Sequence, residues 1–141
     1  MKRIFIMLSL LAVIISCEQK TAQDNTISVI PQPQMISELE GTFKIDKDTK
    51  IFLASPDEEM HRVAGFLNER LLQAAGFELD FIDEQVSDNA IVFKNADKPS
   101  ESYVINARPD SIVIDYGDGA GAFYAVQTLL QLLPVEIFAQ E

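Results

Sequence analysis

A glycine-rich turn followed by an apolar run constrains this chain more than any other feature. Residues 115–138 read DYGDGAGAFYAVQTLLQLLPVEIF, with glycine at positions 117, 119 and 121. Glycine permits tight turns and close approach between backbone segments, and aspartate is a preferred residue at a helix N-cap. The stretch therefore predicts the end of a strand, a turn, a helix capped by Asp118 and an apolar segment after that helix.

The same turn has a second interpretation as a phosphate cradle. Gly117, Gly119 and Ala122 superficially fit the G-x-G-x-x-G/A pattern of dinucleotide-binding turns, whose backbone N–H groups meet a phosphate at a helix N-terminus. The carboxylate of Asp118 would repel a pyrophosphate, however, and the residues after the helix leave no room for the strands that complete such a site. We therefore expect the glycines to serve helix–sheet packing, and we expect no cofactor.

The first residues have the pattern of an export signal. Lys2 and Arg3 precede an apolar run at 4–15, which is too short to span a bilayer. Cys17 follows the small residue Ser16 and resembles the acylated cysteine of a bacterial lipobox; an ordinary secretory signal with an incidental cysteine is the alternative. The predicted segments are a signal peptide at 1–16, a lipid-anchored tether at 17–26 that begins with the acylated Cys17, and a domain at 27–141.

Composition limits the chemistry and the partners of the domain. The formal net charge is −11, and removal of Lys2 and Arg3 would make it two units more negative. Such a surface repels phosphate backbones, so we expect no nucleic-acid partner. Cys17 is the sole cysteine and His61 the sole histidine, which argues against zinc sites and nucleophilic triads. We expect an exported protein, lipid-anchored on the periplasmic side or the surface of a bacterial membrane, with no catalytic residue or metal ligand in this chain.

The first predicted helix has a clear start and end. Ser55 is placed as the N-cap, Pro56 as the first helical residue and Glu58 as the partner in a capping box. Gly76 suits the left-handed position that ends a helix. The apolar face is predicted to consist of Met60, Val63, Ala64, Leu67, Leu71 and Ala74.

Alternating polar and apolar residues predict the strands. The predicted strands are 28–30, 41–45, 50–54, 77–82, 90–93, 101–107 and 111–116, with the last two forming a hairpin. This order of elements predicts an α+β fold in which two helices pack on a mainly antiparallel sheet.

Four segments carry a resemblance to a known family. The helix sequence GAFYAVQTLLQLL at 121–133 resembles the signature helix of the N-terminal, non-catalytic domain of family 20 glycoside hydrolases, the β-N-acetylhexosaminidases. The other three segments are IPQP at 30–33, GTF with TKI at 41–43 and 49–51, and ESYVI at 101–105, in the family's order. The resemblance covers about 27–138. Ala125 and Ser102 stand where the family commonly has glycine.

The resemblance implies an α+β accessory domain of zincin-like shape that packs on a catalytic (β/α)₈ barrel. In the family an adjacent Asp-Glu pair of the barrel works with the 2-acetamido group of the substrate, and the enzyme removes terminal N-acetylhexosamine from glycans. The pairs Asp57-Glu58 and Asp83-Glu84 match those letters but lie in the accessory domain, so the role is not carried over to them. We expect this chain to be inactive alone.

The apolar stretch at 129–138 is interpreted as the docking edge for the barrel, because large apolar side chains left in water forgo about 1.5–3 kcal/mol each. The docking residues predicted from this stretch are Leu129, Leu132, Val135, Ile137 and Phe138. The chain is then expected to be a fragment or a truncated product of a longer gene. The alternative is a stand-alone surface lipoprotein module that binds glycan or a partner protein.

Overall fold

Five strands and two helices make up the regular secondary structure of the described part of the chain. The computed structural model describes residues 27–134 and residue 137. Its elements are β1 (Lys50–Leu53), α1 (Glu58–Ala75), β2 (Asp80–Ile82), β3 (Ala90–Asn95), β4 (Tyr103–Ala107), β5 (Ser111–Tyr116) and α2 (Gly119–Leu132). The strands form one sheet in the order β2-β1-β3-β5-β4.

The sheet is mixed, and the prediction of a mainly antiparallel sheet is wrong. Strand β1 pairs in parallel with β2 and with β3, and β3 pairs in parallel with β5. The β4–β5 hairpin is the antiparallel pair, as predicted. Helix α1 returns the chain to the starting edge of the sheet, so β2 runs in the direction of β1. The α+β class and the two packed helices agree with the prediction.

Both helices cover the same face of the sheet. The parallel register aligns Ile51, Ile91 and Ile112 across three neighbouring strands, and all three are at most 3% exposed. Their side chains join one core cluster with residues of both helices. The helix members of this cluster are Met60, Val63, Ala64, Leu67 and Leu71 from α1, and Ala122, Ala125, Val126 and Leu129 from α2. The apolar face predicted for α1 is thus confirmed except at Ala74, which is half-buried.

Residues 27–49, the described part of the chain before β1, contain no strand, so the predicted strands at 28–30 and 41–45 are wrong. The side-chain amide of Gln131 replaces a strand partner at Ile30: the backbone N–H of Ile30 donates to Gln131 Oε1 at 2.9 Å, and Gln131 Nε2 donates to the carbonyl of Ile30 at 3.0 Å. Phe43 and Ile45 pack against the core cluster from irregular backbone. The alternation of polar and apolar residues here therefore reflects burial of the apolar side chains and not hydrogen bonding to a neighbouring strand.

Two element boundaries also differ from the prediction. Helix α1 is capped by Asp57, whose Oδ1 accepts a hydrogen bond from the N–H of Met60 at 2.7 Å, and the predicted cap at Ser55 is wrong. Aspartate caps as well as serine does, and Asp57 also places a negative charge at the positive end of the helix dipole. Gly76 ends α1 in the left-handed conformation, as predicted. Strand β2 is limited to its last three predicted residues.

Strand β2 is shorter than predicted because of a buried side chain of α1. The amide of Asn68, which is 7% exposed, donates to the carbonyl of Leu79 at 2.8 Å and accepts from the N–H of Leu79 at 2.9 Å. This side chain thus satisfies both backbone groups of the residue just before β2. Buried backbone groups must be paired, so Asn68 fixes the path of the chain between α1 and the sheet.

Replacement of Asn68 by alanine should lower the free energy of unfolding by about 2–3 kcal/mol, because the N–H and C=O of Leu79 would stay buried without partners. Asn106→Ala is the matched control, since Asn106 is exposed on β4 and a substitution there should change stability by less than about 0.5 kcal/mol. Urea unfolding followed by circular dichroism measures both. Equal losses for the two variants would contradict the role assigned to Asn68.

Candidate functional site

The carboxylate of Asp118 occupies the N-terminus of α2. Its Oδ1 accepts hydrogen bonds from the N–H of Gly121 at 2.9 Å and from the N–H of Glu101 at 3.0 Å, and its Oδ2 accepts one from the hydroxyl of Ser100. The Ser100 hydroxyl, followed by the backbone N–H groups of Gly121 and Glu101, holds the pKa of Asp118 below its usual value. The predicted cap is confirmed, and it also ties α2 to the loop between β3 and β4.

Other groups approach all three glycines of the turn closely, and at Gly117 and Gly121 the approaching group is backbone, which cannot move aside. A Cβ on Gly117 would lie 2.2 Å from the carbonyl oxygen of Pro99, and one on Gly121 would lie 2.4 Å from that of Ser102. A Cβ on Gly119 would lie 2.2 Å from the side-chain carboxyl carbon of Glu59. The space around the turn is thus filled by the β3–β4 loop and by α1. The geometry supports the packing interpretation over the phosphate cradle.

The acidic pairs noted in the sequence serve the helices or lie in solvent. Asp57 caps α1, and Glu58 forms an ion pair with Arg62 at 3.0 Å one turn later. Asp83 and Glu84 are exposed in the loop after β2. Within residues 27–134, no group of three or more histidine, cysteine, aspartate or glutamate side chains is arranged to hold a metal ion.

His61 is exposed on α1, as predicted, and contacts a backbone carbonyl group and an aromatic ring. Its Nδ1 lies 2.7 Å from the backbone carbonyl oxygen of Asp57, and its ring lies 5.6 Å from the ring of Phe81. Nearby, burial is the main cause that raises the pKa of Tyr116, with smaller contributions from the negative charges of Asp57 and Glu59.

The two helices leave an open depression on the side that faces away from the sheet. Its lining residues are Glu59, Arg62, Val63, Gly119, Ala120, Phe123 and Tyr124. Beside it lies a group of three aromatic rings, Phe66, Phe123 and Tyr124, which we call the outer aromatic cluster. The ring centroids of Phe66 and Phe123 are 5.5 Å apart, and those of Phe123 and Tyr124 are 6.2 Å apart.

Sequence reasoning missed the outer aromatic cluster. The available signal was the composition of α2, which carries apolar residues around its whole circumference and no charged residue in its 14 positions. A helix that is apolar all round is expected to be covered on every side. Phe123 and Tyr124 are nevertheless 37% and 44% exposed, so one side of α2 is uncovered in this structure.

The predicted docking residues differ in their environments. Leu129 is 3% exposed and belongs to the core cluster, so its inclusion in a docking surface is wrong. Ile137 is half-buried and packs against the same core, whereas Leu132 is 41% exposed. Val135, Phe138 and Cys17 lie outside the described residues. None of the helices in the described part of the chain is long and apolar enough to cross a membrane.

Gly121→Ala should lower the free energy of unfolding by about 1–3 kcal/mol, because the added methyl group would meet the carbonyl of Ser102 at the start of α2. Gly65→Ala is the matched control in α1, where no atom lies within 4 Å of the new Cβ. Alanine favours helix over glycine, so the control should gain about 0.5–1 kcal/mol. Chemical unfolding gives both values, and a gain for Gly121→Ala would contradict the packing role of the turn.

Asp118→Ala should destabilise the fold in a pH-dependent manner. The folded-state pKa of Asp118 lies below its ordinary value of 3.8, so the ionised form stabilises the fold above that pH. This contribution is lost as the pH falls through the folded-state pKa. The difference in unfolding free energy between wild type and variant should therefore narrow between about pH 7 and about pH 3. A difference in unfolding free energy that stays constant over this pH range would contradict the prediction. Asp97→Ala, at an exposed turn position, is the control.

Comparison with known proteins gives a consistent result. The family model for glycosyl hydrolase family 20, domain 2, matches residues 26–140. A beta-hexosaminidase of Porphyromonas gingivalis is 34% identical over 134 residues, which cover 88% of this chain and 17% of that protein.

Solved structures agree with these matches. An N-acetyl-beta-hexosaminidase of Streptomyces plicatus is 28% identical with a TM-score of 0.67, covering 77% of this chain and 22% of that chain. A family 20 beta-N-acetylhexosaminidase of Streptomyces coelicolor is 28% identical with a TM-score of 0.61, covering 72% of this chain and 20% of that chain. This chain thus spans about a fifth of the length of its relatives. It belongs to glycosyl hydrolase family 20, and the part that it matches is the N-terminal, non-catalytic domain 2 of that family.

Proposed function

We propose that this chain is the accessory domain of an exported, lipid-anchored β-N-acetylhexosaminidase that removes terminal N-acetylhexosamine from glycans. The observation that carries the proposal is the family match over 26–140, with its signature helix tied to the β3–β4 loop by Asp118. The catalytic partner is a (β/α)₈ barrel of the kind that the family resemblance implies.

The chemistry of the domain supports an accessory role. Three carboxylates near the ends of β1 and β5 take part in packing: Asp57 and Asp118 cap the two helices, and Glu59 packs against Gly119. General acid–base catalysis needs a group within hydrogen-bonding reach of the substrate. A capping carboxylate has its oxygens directed at backbone N–H groups, so it is poorly placed to act on a glycan.

The alternative is a stand-alone surface module that binds glycan. The open depression favours it, because Phe123 and Tyr124 place exposed rings beside the charged groups of Glu59 and Arg62. Sugars bind to protein surfaces that combine an apolar ring face with nearby hydrogen-bonding groups. Titration of this chain with chitooligosaccharides separates the two functions, since only the stand-alone module should bind without a catalytic domain.

This chain alone should release no chromophore from a chromogenic N-acetylglucosaminide. A chimera in which residues 26–140 replace the matching segment of the Porphyromonas gingivalis relative should retain its activity, because the two segments share the fold that supports the catalytic part. A version of the relative that lacks the segment is the control and should be less active or less stable. Hydrolysis by this chain alone would contradict the accessory role.

Acylation should depend on Cys17. Expression in a bacterium fed with labelled palmitate should label the wild-type chain, and Cys17→Ser should abolish the label because no other cysteine is available. An inhibitor of lipoprotein signal peptidase should make a larger precursor accumulate. Ser16→Ala, which keeps a small residue before the cysteine, is the control and should remain labelled. A processed but unlabelled wild-type protein would support an ordinary secretory signal instead.

A further inference from the structure

Strand β4 forms one edge of the sheet, and alternate residues of it turn their backbone groups outward. The N–H of Gly117 donates to the carbonyl of Ser102 at 3.0 Å, and the N–H of Arg108 donates to that of Ser111 at 2.8 Å, so even-numbered residues of this strand bond to β5. Bonded and non-bonded pairs alternate along an antiparallel ladder. The residues whose N–H and C=O groups therefore point away from β5 are Tyr103, Ile105 and Ala107.

These outward backbone groups have no hydrogen-bond partner within residues 27–134. The opposite edge of the sheet differs, because β2 is three residues long and its Asp80 carboxylate accepts from Lys50 Nζ at 2.7 Å. Short strands and charged side chains are the usual protection of a sheet edge against pairing with another strand. The five residues of β4 include no charged residue and no proline, so this edge lacks that protection.

The side chains of β4 hold the edge in an extended conformation. Tyr103 and Ile105 pack against the core cluster, and the hydroxyl of Tyr103 lies 2.6 Å from Thr128 Oγ1 on α2. Val104 and Asn106 alternate with them and are exposed on the side of the sheet opposite the helices. A strand that is already ordered loses little conformational entropy when a partner strand pairs with it.

The charges at the two ends of β4 indicate which strand fits. Glu101 precedes the strand and Arg108 follows it; both are exposed, and neither takes part in an ion pair within the described residues. Antiparallel pairing of two identical strands centred on Ile105 brings Arg108 of each copy opposite Ser102 of the other, next to Glu101. Opposite charges then meet at both ends of the pair, and no like charges face each other between them.

We propose that β4 is a self-association edge, through which two copies of this chain pair as antiparallel strands about a two-fold axis at Ile105. In this register Tyr103 bonds with Ala107 of the second copy, and Val104 lies opposite Asn106 of the second copy. The outward backbone groups of both strands are then satisfied, and the two-fold axis closes the assembly at a dimer. The contact is small for a protein interface, so the dissociation constant should be about 10–100 µM.

The first test is sedimentation velocity of the full chain over about 5–500 µM, a range that brackets this affinity. The wild type should shift from monomer to dimer. Val104→Lys should weaken the dimer at least about tenfold, because a lysine on an edge strand opposes pairing. Val86→Lys is the matched control, since Val86 is 39% exposed in the loop after β2 and Val104 is 42% exposed. The control should dimerise as the wild type does, and both variants should keep the wild-type thermal midpoint.

The second test measures the register by disulfide formation. Cys17→Ser leaves an introduced cysteine as the single thiol of the chain. In a mixture of Val104→Cys and Asn106→Cys chains, the register brings the two substituted Cα atoms to about 4.5 Å from each other. Two copies of either variant alone place their thiols on diagonal positions, about 7–8 Å apart. Mild oxidation of the mixture should therefore give mixed dimers at least about fivefold in excess over like dimers.

Each result decides the proposal. A chain that stays monomeric over the whole range, or mixed and like disulfide dimers in equal amounts, would overturn the pairing of β4. Dimers that persist in Val104→Lys and disappear in Phe123→Ser would assign the association to the outer aromatic cluster and would also overturn it. None of these results bears on the accessory role, which the chimera tests separately.

Discussion

The carboxylate of Asp118 is the interaction on which the position of α2 depends. It accepts the N–H groups of Gly121, in its own helix, and of Glu101, in the loop between β3 and β4, and it also accepts the hydroxyl of Ser100. A helix N-terminus leaves backbone donors that must be satisfied. One side chain meets that need and at the same time joins the helix to a loop distant in sequence. With α2 fixed at this end, its buried side seals the core over the sheet.

The same arrangement fills the space around the glycine-rich turn. Gly117 and Gly121 admit the backbone of the β3–β4 loop to distances that any side chain would block, and Gly119 admits the side chain of Glu59. The backbone N–H groups of Gly121 and Glu101 beside the turn donate to the carboxylate of Asp118. On the outer side of the helix layer, Phe123 and Tyr124 are exposed.

Local features could be predicted from residue patterns, and non-local ones could not. The apolar face of α1, its glycine C-cap and the β4–β5 hairpin each depend on neighbours within a few residues, and each was predicted correctly. The direction of β2 and β3 depends on where their connections cross the sheet, which alternation of polar and apolar residues does not encode. The segment at 41–45 has the alternation of a strand, but its side chains reach the core from irregular backbone.

The sequence alone was sufficient to predict the family, the two helices and the role of Asp118 as an N-cap, because each of these depends on a short contiguous pattern of residues. The tertiary structure alone decided three other matters. It placed the cap of α1 at Asp57, it buried Leu129 in the core cluster, and it brought Phe66 of one helix against Phe123 of the other. The cap at Asp57 is a local hydrogen bond to Met60. The other two depend on which side of a helix meets the sheet, and that side is chosen by packing among segments far apart in the chain.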